Sequence, residues 1–243
     1  MTAHEQHKAD LQKKREKYLL SPERYEALWA ELSPRLVPDE YFRSTVCSVY
    51  YDSDDYELIR RSIEAPVYKE KLRVRSYGVP APDGTVFVEL KKKFKGTVYK
   101  RRVQTTAERA EAWLSGRSPA PENSQVCREI DWFLHMHSPA PKIFIACDRE
   151  AYIADGASEL RFTFDRGIRW REEELSLCDG THGTPLLDGG QVLMEIKIPD
   201  AAPLWLADTL SRLEVFPTGF SKYGSCYKSG LVQKYFDGVI TIA

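Results

Sequence analysis

The sequence predicts one α+β domain whose main element is an antiparallel sheet. Much of the 243-residue chain falls into strand-like runs in which apolar and charged side chains alternate with period two. Turn-forming Gly and Pro residues separate several of these runs at short intervals, as in a meander of sequential strands. Amphipathic helices stand near the ends and in the middle of the chain rather than after every strand, which favours an antiparallel sheet over a parallel one.

Helix candidates are indicated by their caps and by the spacing of apolar residues. Ser21 is a suitable N-cap, Pro22 suits the first helical position, and apolar side chains follow at helical spacing up to Leu32. Thr106 caps another segment, and Pro203 begins a third. The predicted helices are 21–32, 55–63, 106–114, 126–136, 203–213 and 221–235.

Strand candidates are rich in β-forming residues, and most of them alternate. They are 17–20, 46–52, 67–77, 85–93, 97–103, 142–149, 159–166 and 191–198, with weaker candidates at 150–154 and 168–177. The segments 116–124 and 178–190 are rich in Gly, Pro and Ser and are predicted loops. We expect a charged arm over 1–16 and a single domain over 17–243.

Composition excludes several classes of protein. Hydrophobic residues make up 42% of the chain and charged residues 29%, so a full core is available and general disorder is excluded. The five cysteines are scattered and contain no CxxC pair, which argues against a disulfide framework or a zinc ribbon. The first twenty residues contain no apolar secretory run, and no stretch approaches 18 apolar residues. We therefore expect a cytoplasmic protein without direct membrane insertion.

The net charge of −1 conceals a strongly basic segment. Residues 67–103 contain eleven basic and three acidic residues, a net charge of +8. Such segregation in a nearly neutral protein indicates an anionic partner.

The basic residues share one face of their predicted strands. Positions 69, 71, 73 and 75 are all basic, and the apolar Leu72 and Val74 lie between them. Such a face is ordinarily the solvated side of a sheet. If the strands close into a barrel, however, the charged face lines a lumen and needs a polyanion, and the interspersed carboxylates suit a divalent cation. Glu89 is open to either reading, as a metal ligand or as the partner of Arg73 or Lys91, and Asp165 has the same ambiguity.

Six segments together resemble a known family, the VTC domain. They are YYDSDDYELIRRSIEAPVYKEKLRVRSYG, VFVELKKKFKGTVYKRRV, ACDREAY, LRFTFD, LMEIKIP and FSKYGS. The VTC domain is the polyphosphate polymerase domain of the vacuolar transporter chaperone complex, of which bacteria carry stand-alone forms. It belongs to the triphosphate tunnel metalloenzymes, so the resemblance implies an antiparallel eight-stranded β-barrel with flanking helices and a charged tunnel.

The resemblance also implies the site residues. The positions that match catalytic residues of the family, or lie beside them, are Lys17, Arg73, Arg75, Lys91, Lys100, Arg149, Arg161 and Lys222. Ser221 also matches the family, as a phosphate-binding position. Further phosphate-binding candidates rest on strand alternation instead, because they share the charged faces of their strands: Lys71, Arg102 and Lys197. Glu195 matches the metal-binding glutamate, for Mn²⁺ or Mg²⁺, and Glu89 is a less well matched candidate.

The first strand departs from the signature of the superfamily. Tunnel enzymes often carry ExExK there, but Arg15 stands two residues before Lys17, on the same face. Glu16 points to the other face. This strand is therefore expected to offer the metal no carboxylate, which places more weight on Glu195.

The predicted function is metal-dependent transfer of the terminal phosphate of ATP to a growing polyphosphate chain. A tunnel-type triphosphatase and a non-catalytic polyphosphate-binding module remain alternatives at this stage. The expected ligands are ATP, inorganic polyphosphate, pyrophosphate or triphosphate. We expect no nucleic-acid partner, because carboxylates lie among the basic side chains that converge on one face. A membrane-attached partner is compatible with the sequence.

Overall fold

The computed structural model describes residues 14–95, 97–199 and 201–231. Its strands are β1 (Lys14–Leu20), β2 (Leu36–Asp52), β3 (Tyr68–Tyr77), β4 (Thr85–Phe94), β5 (Thr97–Thr106), β6 (Ala140–Ala154), β7 (Ala157–Arg171), β8 (Thr184–Pro185) and β9 (Val192–Ile198). Its helices are α1 (Pro22–Leu32), α2 (Glu57–Ile63), α3 (Ala107–Leu114), α4 (Gln125–His137), α5 (Leu204–Arg212) and α6 (Lys222–Cys226), followed by a π-helical turn, Tyr227–Leu231. No helix within these residues has the length and apolarity needed to cross a membrane.

The strands form one hydrogen-bonded sheet. Their order is β1-β9-β7-β6-β2-β3-β4-β5, and the two-residue β8 pairs with β7. The pairings of β1 with β9, β9 with β7, β2 with β3, β3 with β4, and β4 with β5 are all antiparallel. The predicted α+β class with flanking helices is confirmed. Among the described strands the order is a path with two ends, whereas the resemblance implies a closed barrel of eight. The side-chain patterns that carry the resemblance specify the faces of the strands and not which edges pair.

Several elements differ in length from the sequence prediction. Strand β2 begins at Leu36, ten residues earlier than expected, since its first half lacks apolar alternation. Strands β6 and β7 each run unbroken through positions where two shorter strands were expected. Strand β1 begins at Lys14, inside the predicted arm, whereas residues 1–13 of that arm lie outside the described residues. The α-helix expected over 221–235 continues as a π-helical turn after Cys226, and residues 232–235 also lie outside the description.

Contacts divide the chain into two compact units. The first contains the described residues up to Thr45 together with Cys147–Ile168 and Leu187–Phe220. Its core is aromatic: the Trp29 ring lies 5.1 Å from that of Tyr152 and 5.7 Å from that of Phe164. Helix α1, begun by Ser21 as predicted, contributes the fully buried Leu28 and Leu32 to this core.

The second unit contains Val46–Ala146, Arg169–Leu186 and the described residues from Ser221 onward. Helices α3 and α4 cover one face of strands β3 to β5 with buried side chains such as Trp113, Ile130 and Phe133. They pack on Leu72 and Leu90, which point to that face from β3 and β4. Full burial of each such side chain stabilises the fold by about 1.5–3 kcal/mol. The opposite face of these strands is left for the charged residues.

Asp52, the last residue of β2, connects two helices of the second unit. Its carboxylate is fully buried and accepts hydrogen bonds from the backbone N–H of Leu58 (2.9 Å) and Ile59 (3.0 Å) at the start of α2. It also accepts one from the Tyr223 hydroxyl of α6, at 2.7 Å. One side chain therefore caps α2 and holds α6, the helix that begins with the predicted site residue Lys222.

Replacement of this carboxylate tests its structural role. Asp52→Ala leaves several buried donors without an acceptor, each at about 1–3 kcal/mol, so we expect the free energy of unfolding to fall by at least about 3 kcal/mol. The measurement is urea denaturation followed by circular dichroism. The matched control is Asp54→Ala, which removes a side chain that is 98% exposed and paired with Lys142 at the surface. Equal loss in the two variants would contradict the assigned role.

Candidate functional site

A dense group of cations lies on the face of β3, β4 and β5 opposite the core. Glu89 on β4 is the direct cross-strand neighbour of Arg73 and of Arg102. In the next row, Lys91 lies between Lys71 and Lys100. We call this group the β3–β5 basic cluster; its members are Lys71, Arg73, Lys91, Lys100, Arg102 and the central Glu89.

Glu89 is the centre of the cluster and is 1% exposed. Its Oε2 accepts from Arg73 Nε and Nη2 at 2.8 and 2.6 Å. Its Oε1 accepts from Arg102 Nε at 2.8 Å and lies 2.6 Å from Lys100 Nζ. Both carboxylate oxygens are thus held by cations, which supports the ion-pair alternative left open by the sequence over the metal-ligand one.

Electrostatics keep these groups ionised at neutral pH. Burial acts to raise the pKa of Glu89, but the charges of Arg73, Arg75 and Lys100 outweigh it and hold the pKa well below its usual range. Burial acts to lower the pKa of Arg73, and Tyr50 and Glu89 more than compensate, so that pKa is raised. Burial lowers the pKa of Lys100, which Glu89 only partly opposes. A single carboxylate therefore neutralises only part of the positive charge of the cluster.

Side chains from β2 and α6 complete the site in this unit. Arg73 Nη1 donates to the Tyr50 hydroxyl at 3.0 Å, and Arg75 Nε donates to Ser48 Oγ at 3.2 Å. Ser221 caps α6 by accepting from the Gly224 N–H, and its Oγ lies 3.4 Å from Lys71 Nζ.

The Tyr50 ring links this arrangement to α6. It stacks on the Tyr223 ring at 4.9 Å. Burial acts to raise the pKa of the Tyr50 hydroxyl, but the charges of Arg73, Arg75 and Lys222 outweigh it and lower that pKa. The start of α6 is thereby packed beside the guanidinium groups of β3.

The first unit has a second set of cations, on β1, β9 and β7. Lys197 on β9 lies directly between Arg15 and Arg161. Burial and these like charges lower the pKa of Lys197. In the next row, Glu195 lies between Lys17 and Thr163. The Arg15 and Lys17 side chains share this face, as the alternation of β1 predicts.

Two further predicted residues of the first unit have defined partners. Arg149 makes a two-pronged ion pair with Asp165, with distances of 2.6 and 2.8 Å, and Asp165 is 3% exposed. Burial acts to lower the pKa of Arg149, but the hydrogen bonds to Asp165 and the negative charge of that carboxylate outweigh it and raise that pKa. Lys17 Nζ donates to the Phe220 carbonyl at 2.8 Å. Asp165 is therefore the partner of an arginine, like Glu89.

Few carboxylates of the described residues are placed to bind a divalent cation. Among residues 14–95, 97–199 and 201–231, no three His, Cys, Asp or Glu side chains lie close enough together to hold a cation. Glu89 and Asp165 are engaged by cations, which leaves Glu195, half-buried on β9. Mg²⁺ usually keeps several waters and takes one or two carboxylates together with substrate phosphates. The donor set fits that mode of binding and does not fit a cage made by protein alone.

The predicted site residues fall into these two groups, one in each unit. Those of the second unit are Lys71, Arg73, Arg75, Glu89, Lys91, Lys100, Arg102, Ser221 and Lys222, and those of the first are Lys17, Arg149, Arg161, Glu195 and Lys197. Lys92 and Arg101, which have the opposite parity, contact Glu129 of α4 on the other face. Sequence reasoning missed the roles of Ser48 and Tyr50; the signal was their position opposite Arg75 and Arg73, which requires knowing that β2 pairs with β3.

The pH dependence of stability tests the central ion pairs. A lowered pKa in the folded state means that Glu89 contributes stability above its ordinary pKa of about 4.3, and that this contribution is lost as the pH falls toward the folded-state value. Breaking a buried pair costs about 3–5 kcal/mol, so we expect Glu89→Gln to destabilise the fold by about that amount at pH 7. The difference from wild type should shrink between pH 5 and about pH 2, measured by denaturation at each pH.

The control is a carboxylate in an exposed ion pair. Glu111 pairs with Arg117, and both side chains are 62% exposed. Glu111→Gln should change stability by less than about 1 kcal/mol. A gap between wild type and Glu89→Gln that stays constant down to pH 2 would contradict the assigned ionisation of Glu89.

Solved structures of other proteins resemble this fold. No match was found among curated protein sequences. Among solved structures, a candidate adenylate cyclase of Bacillus halodurans is similar with a TM-score of 0.54 and 14% identity, covering 86% of this chain and 93% of its own. A candidate adenylyl cyclase of Hippeastrum with a dominant triphosphatase activity is 16% identical, with a TM-score of 0.49, over 90% of this chain and 96% of its own. The model of the VTC domain matches residues 12–231, nearly the whole chain, and the chain therefore belongs to the VTC-domain family.

Proposed function

We propose that this chain is an ATP-dependent polyphosphate polymerase. A terminal oxygen of the polyphosphate chain would attack the γ-phosphorus of ATP and form a new P–O bond. The bond from the γ-phosphorus to the bridging oxygen would break, and ADP would leave with its electron pair. Such a transfer needs little covalent help from the protein, and it depends on positioning and on neutralising charge.

The observation that carries this proposal is the excess of ordered cations in the β3–β5 basic cluster. Five cationic side chains share one face with a single carboxylate, in consecutive cross-strand rows. Like charges directly opposite one another in a sheet are destabilising, as for Lys71 and Lys91 or Lys91 and Lys100. A polyphosphate chain would remove that cost, because each phosphate unit along the chain carries a negative charge.

The cations are suited to different parts of this task. Arg73 and Arg102 offer planar forks that match pairs of phosphate oxygens, and Glu89 holds both forks in place before any ligand arrives. Lys71, Lys91 and Lys100 offer point charges in the adjoining row. The arrangement is prepared in advance, so little reorganisation would be needed when charge moves onto the leaving ADP.

In the first unit, Glu195 would hold the divalent cation, Mn²⁺ or Mg²⁺, together with phosphate oxygens. A bound cation of this kind neutralises phosphate charge and orients the transferring group. Lys17 and Lys197 on either side of this position, with Arg149 and Arg161, would bind further phosphate oxygens.

The first experiment is a phosphate-acceptor assay with ATP and Mn²⁺ or Mg²⁺, in which products are separated on a gel. Chain products support the proposal, free phosphate without chains means a triphosphatase, and neither product means a binding module.

Arg73→Gln should lower turnover by about 100-fold or more, the usual effect of losing one preorganised donor of charge stabilisation. The matched control is Arg101→Gln. Arg101 lies on the other face of β5, so this variant should keep wild-type turnover. Similar losses in both variants would contradict the assigned face.

A metal titration tests the role of Glu195. Glu195→Gln should shift the concentration of Mn²⁺ needed for half-maximal turnover upward by at least about tenfold, because a hard cation loses its charged oxygen ligand. Direct binding of ATP without metal should persist, since the cations remain. Glu31→Gln, on α1 and paired with Arg212 at the surface, serves as the control. If Glu195→Gln reaches the wild-type rate at the same metal concentration, Glu195 is not the ligand.

A further inference from the structure

An exposed aromatic corner lies at one end of the charged face of β3 and β4. Tyr77, the last residue of β3, has the same parity as Arg73 and Arg75 and is 52% exposed. Its ring lies 6.0 Å from that of Phe87 on β4, at an edge-to-face angle of 71°. An exposed large aromatic side chain is unusual on a face dominated by Lys and Arg, and Tyr77 is not part of the buried core.

Arg102 joins this corner to the β3–β5 basic cluster. Its guanidinium carbon lies 4.2 Å from the centre of the Phe87 ring, and its Nη2 donates to the Tyr77 hydroxyl at 3.4 Å. The same guanidinium group is paired with Glu89. Burial acts to raise the pKa of Tyr77, but the hydrogen bond from Arg102 and the charges of Arg75 and Arg102 outweigh it and lower that pKa. The aromatic corner and the guanidinium groups thus form one continuous surface.

A neutral amide also lies beside the corner. Gln104 on β5 is the direct cross-strand neighbour of Phe87 and is exposed. An amide side chain offers both donors and an acceptor, which is what the edge of a heterocyclic base requires. The row through Arg75, Phe87 and Gln104 therefore differs in chemistry from the two cationic rows beside it.

The spacing along β3 suits a nucleotide that is bound lengthwise. Arg73 and Tyr77 are four residues apart, which is about 13–14 Å along a strand. Ribose and the inner phosphates separate the base from the terminal phosphate of an extended nucleoside triphosphate by a distance of this order. A base at Tyr77 would therefore leave the phosphates beside the cations of the cluster.

We propose that Tyr77 and Phe87, with Gln104 beside them, form a subsite that stacks the base of a nucleoside triphosphate and so distinguishes a nucleotide donor from inorganic triphosphate. This inference rests on the proposed function, because it assigns the cluster to phosphates. Stacking tolerates different bases, since every base has an aromatic face, so GTP should bind nearly as well as ATP.

Calorimetric titration of the purified chain, with EDTA present to prevent turnover, provides the test. The ligands are ATP, ribose 5-triphosphate, which lacks the base, and inorganic tripolyphosphate. Loss of base stacking on an aromatic side chain costs about 1–3 kcal/mol, so Tyr77→Ala should weaken ATP binding by about 5- to 150-fold. It should leave the Kd of both base-free ligands within about twofold, and Tyr77→Trp should restore ATP binding.

The chain offers a matched control on the same strand. Tyr68 begins β3, is 44% exposed, and has an edge-to-face contact with Phe94 similar to that of Tyr77 with Phe87. Its parity is opposite to that of Tyr77, so Tyr68→Ala should change the Kd of none of the three ligands. In the wild-type chain, ATP should bind more tightly than ribose 5-triphosphate by the factor that Tyr77→Ala loses, which tests the proposal even if that variant does not fold.

The outcomes separate this proposal from the proposed function. If Tyr77→Ala weakens all three ligands equally, or none of them, the base subsite is wrong and the phosphate site stands. Equal affinity of the wild-type chain for ATP and ribose 5-triphosphate also overturns the subsite. If the wild-type chain binds none of the ligands, the proposed function itself fails.

Discussion

Glu89 makes it possible for so many cations to share one face of β3, β4 and β5 in the folded protein. Without a buried carboxylate, Arg73, Arg102 and Lys100 would repel one another in a setting where burial already penalises their charges. The ion pairs also fix the direction of both guanidinium groups, because each donates through Nε to a carboxylate whose two oxygens are divided between them. One carboxylate offsets part of the repulsion among these cations, but its single negative charge does not neutralise the five cations of the cluster. The residual positive charge is what a polyanion would bind.

A second buried carboxylate in the second unit positions the helix that lies beside this face. Asp52 satisfies the first turn of α2 and, through the Tyr223 hydroxyl, holds α6, while the Tyr223 ring stacks on Tyr50. Tyr50 in turn accepts from Arg73. A buried acid with no contact to the cluster thus determines where Ser221 and Lys222 lie relative to Arg73. The chain of contacts runs from backbone capping, through aromatic packing, to a charged side chain.

The sequence identified the faces of the strands better than the partners of their side chains. Period-two alternation predicted that Arg73 and Glu89 share a face, and their register makes them direct neighbours. It left the role of Glu89 open, because a carboxylate among cations is equally compatible with an ion pair and with a metal until distances are known. The role of Tyr50 was missed because it depends on the pairing of β2 with β3, and the first half of β2 was missed because its side chains do not alternate. The family resemblance indicated a closed barrel, whereas the pairing of edges is decided by backbone hydrogen bonds that no side-chain pattern reports.

The two units use their carboxylates in different ways, and this difference bears on metal dependence. Glu89 is 1% exposed and shares its oxygens among three cations, so a divalent ion would have to displace them to bind there. Glu195 is half-buried between Lys17 and Thr163, and Arg15, two residues before Lys17 on β1, adds a positive charge rather than a carboxylate to the same face. One carboxylate surrounded by Lys and Arg has little affinity for a divalent cation, because the neighbouring charges repel it. Phosphate oxygens would reverse that balance by neutralising the cations and supplying the missing ligands, so under the proposed function the metal should bind only after phosphate is in place.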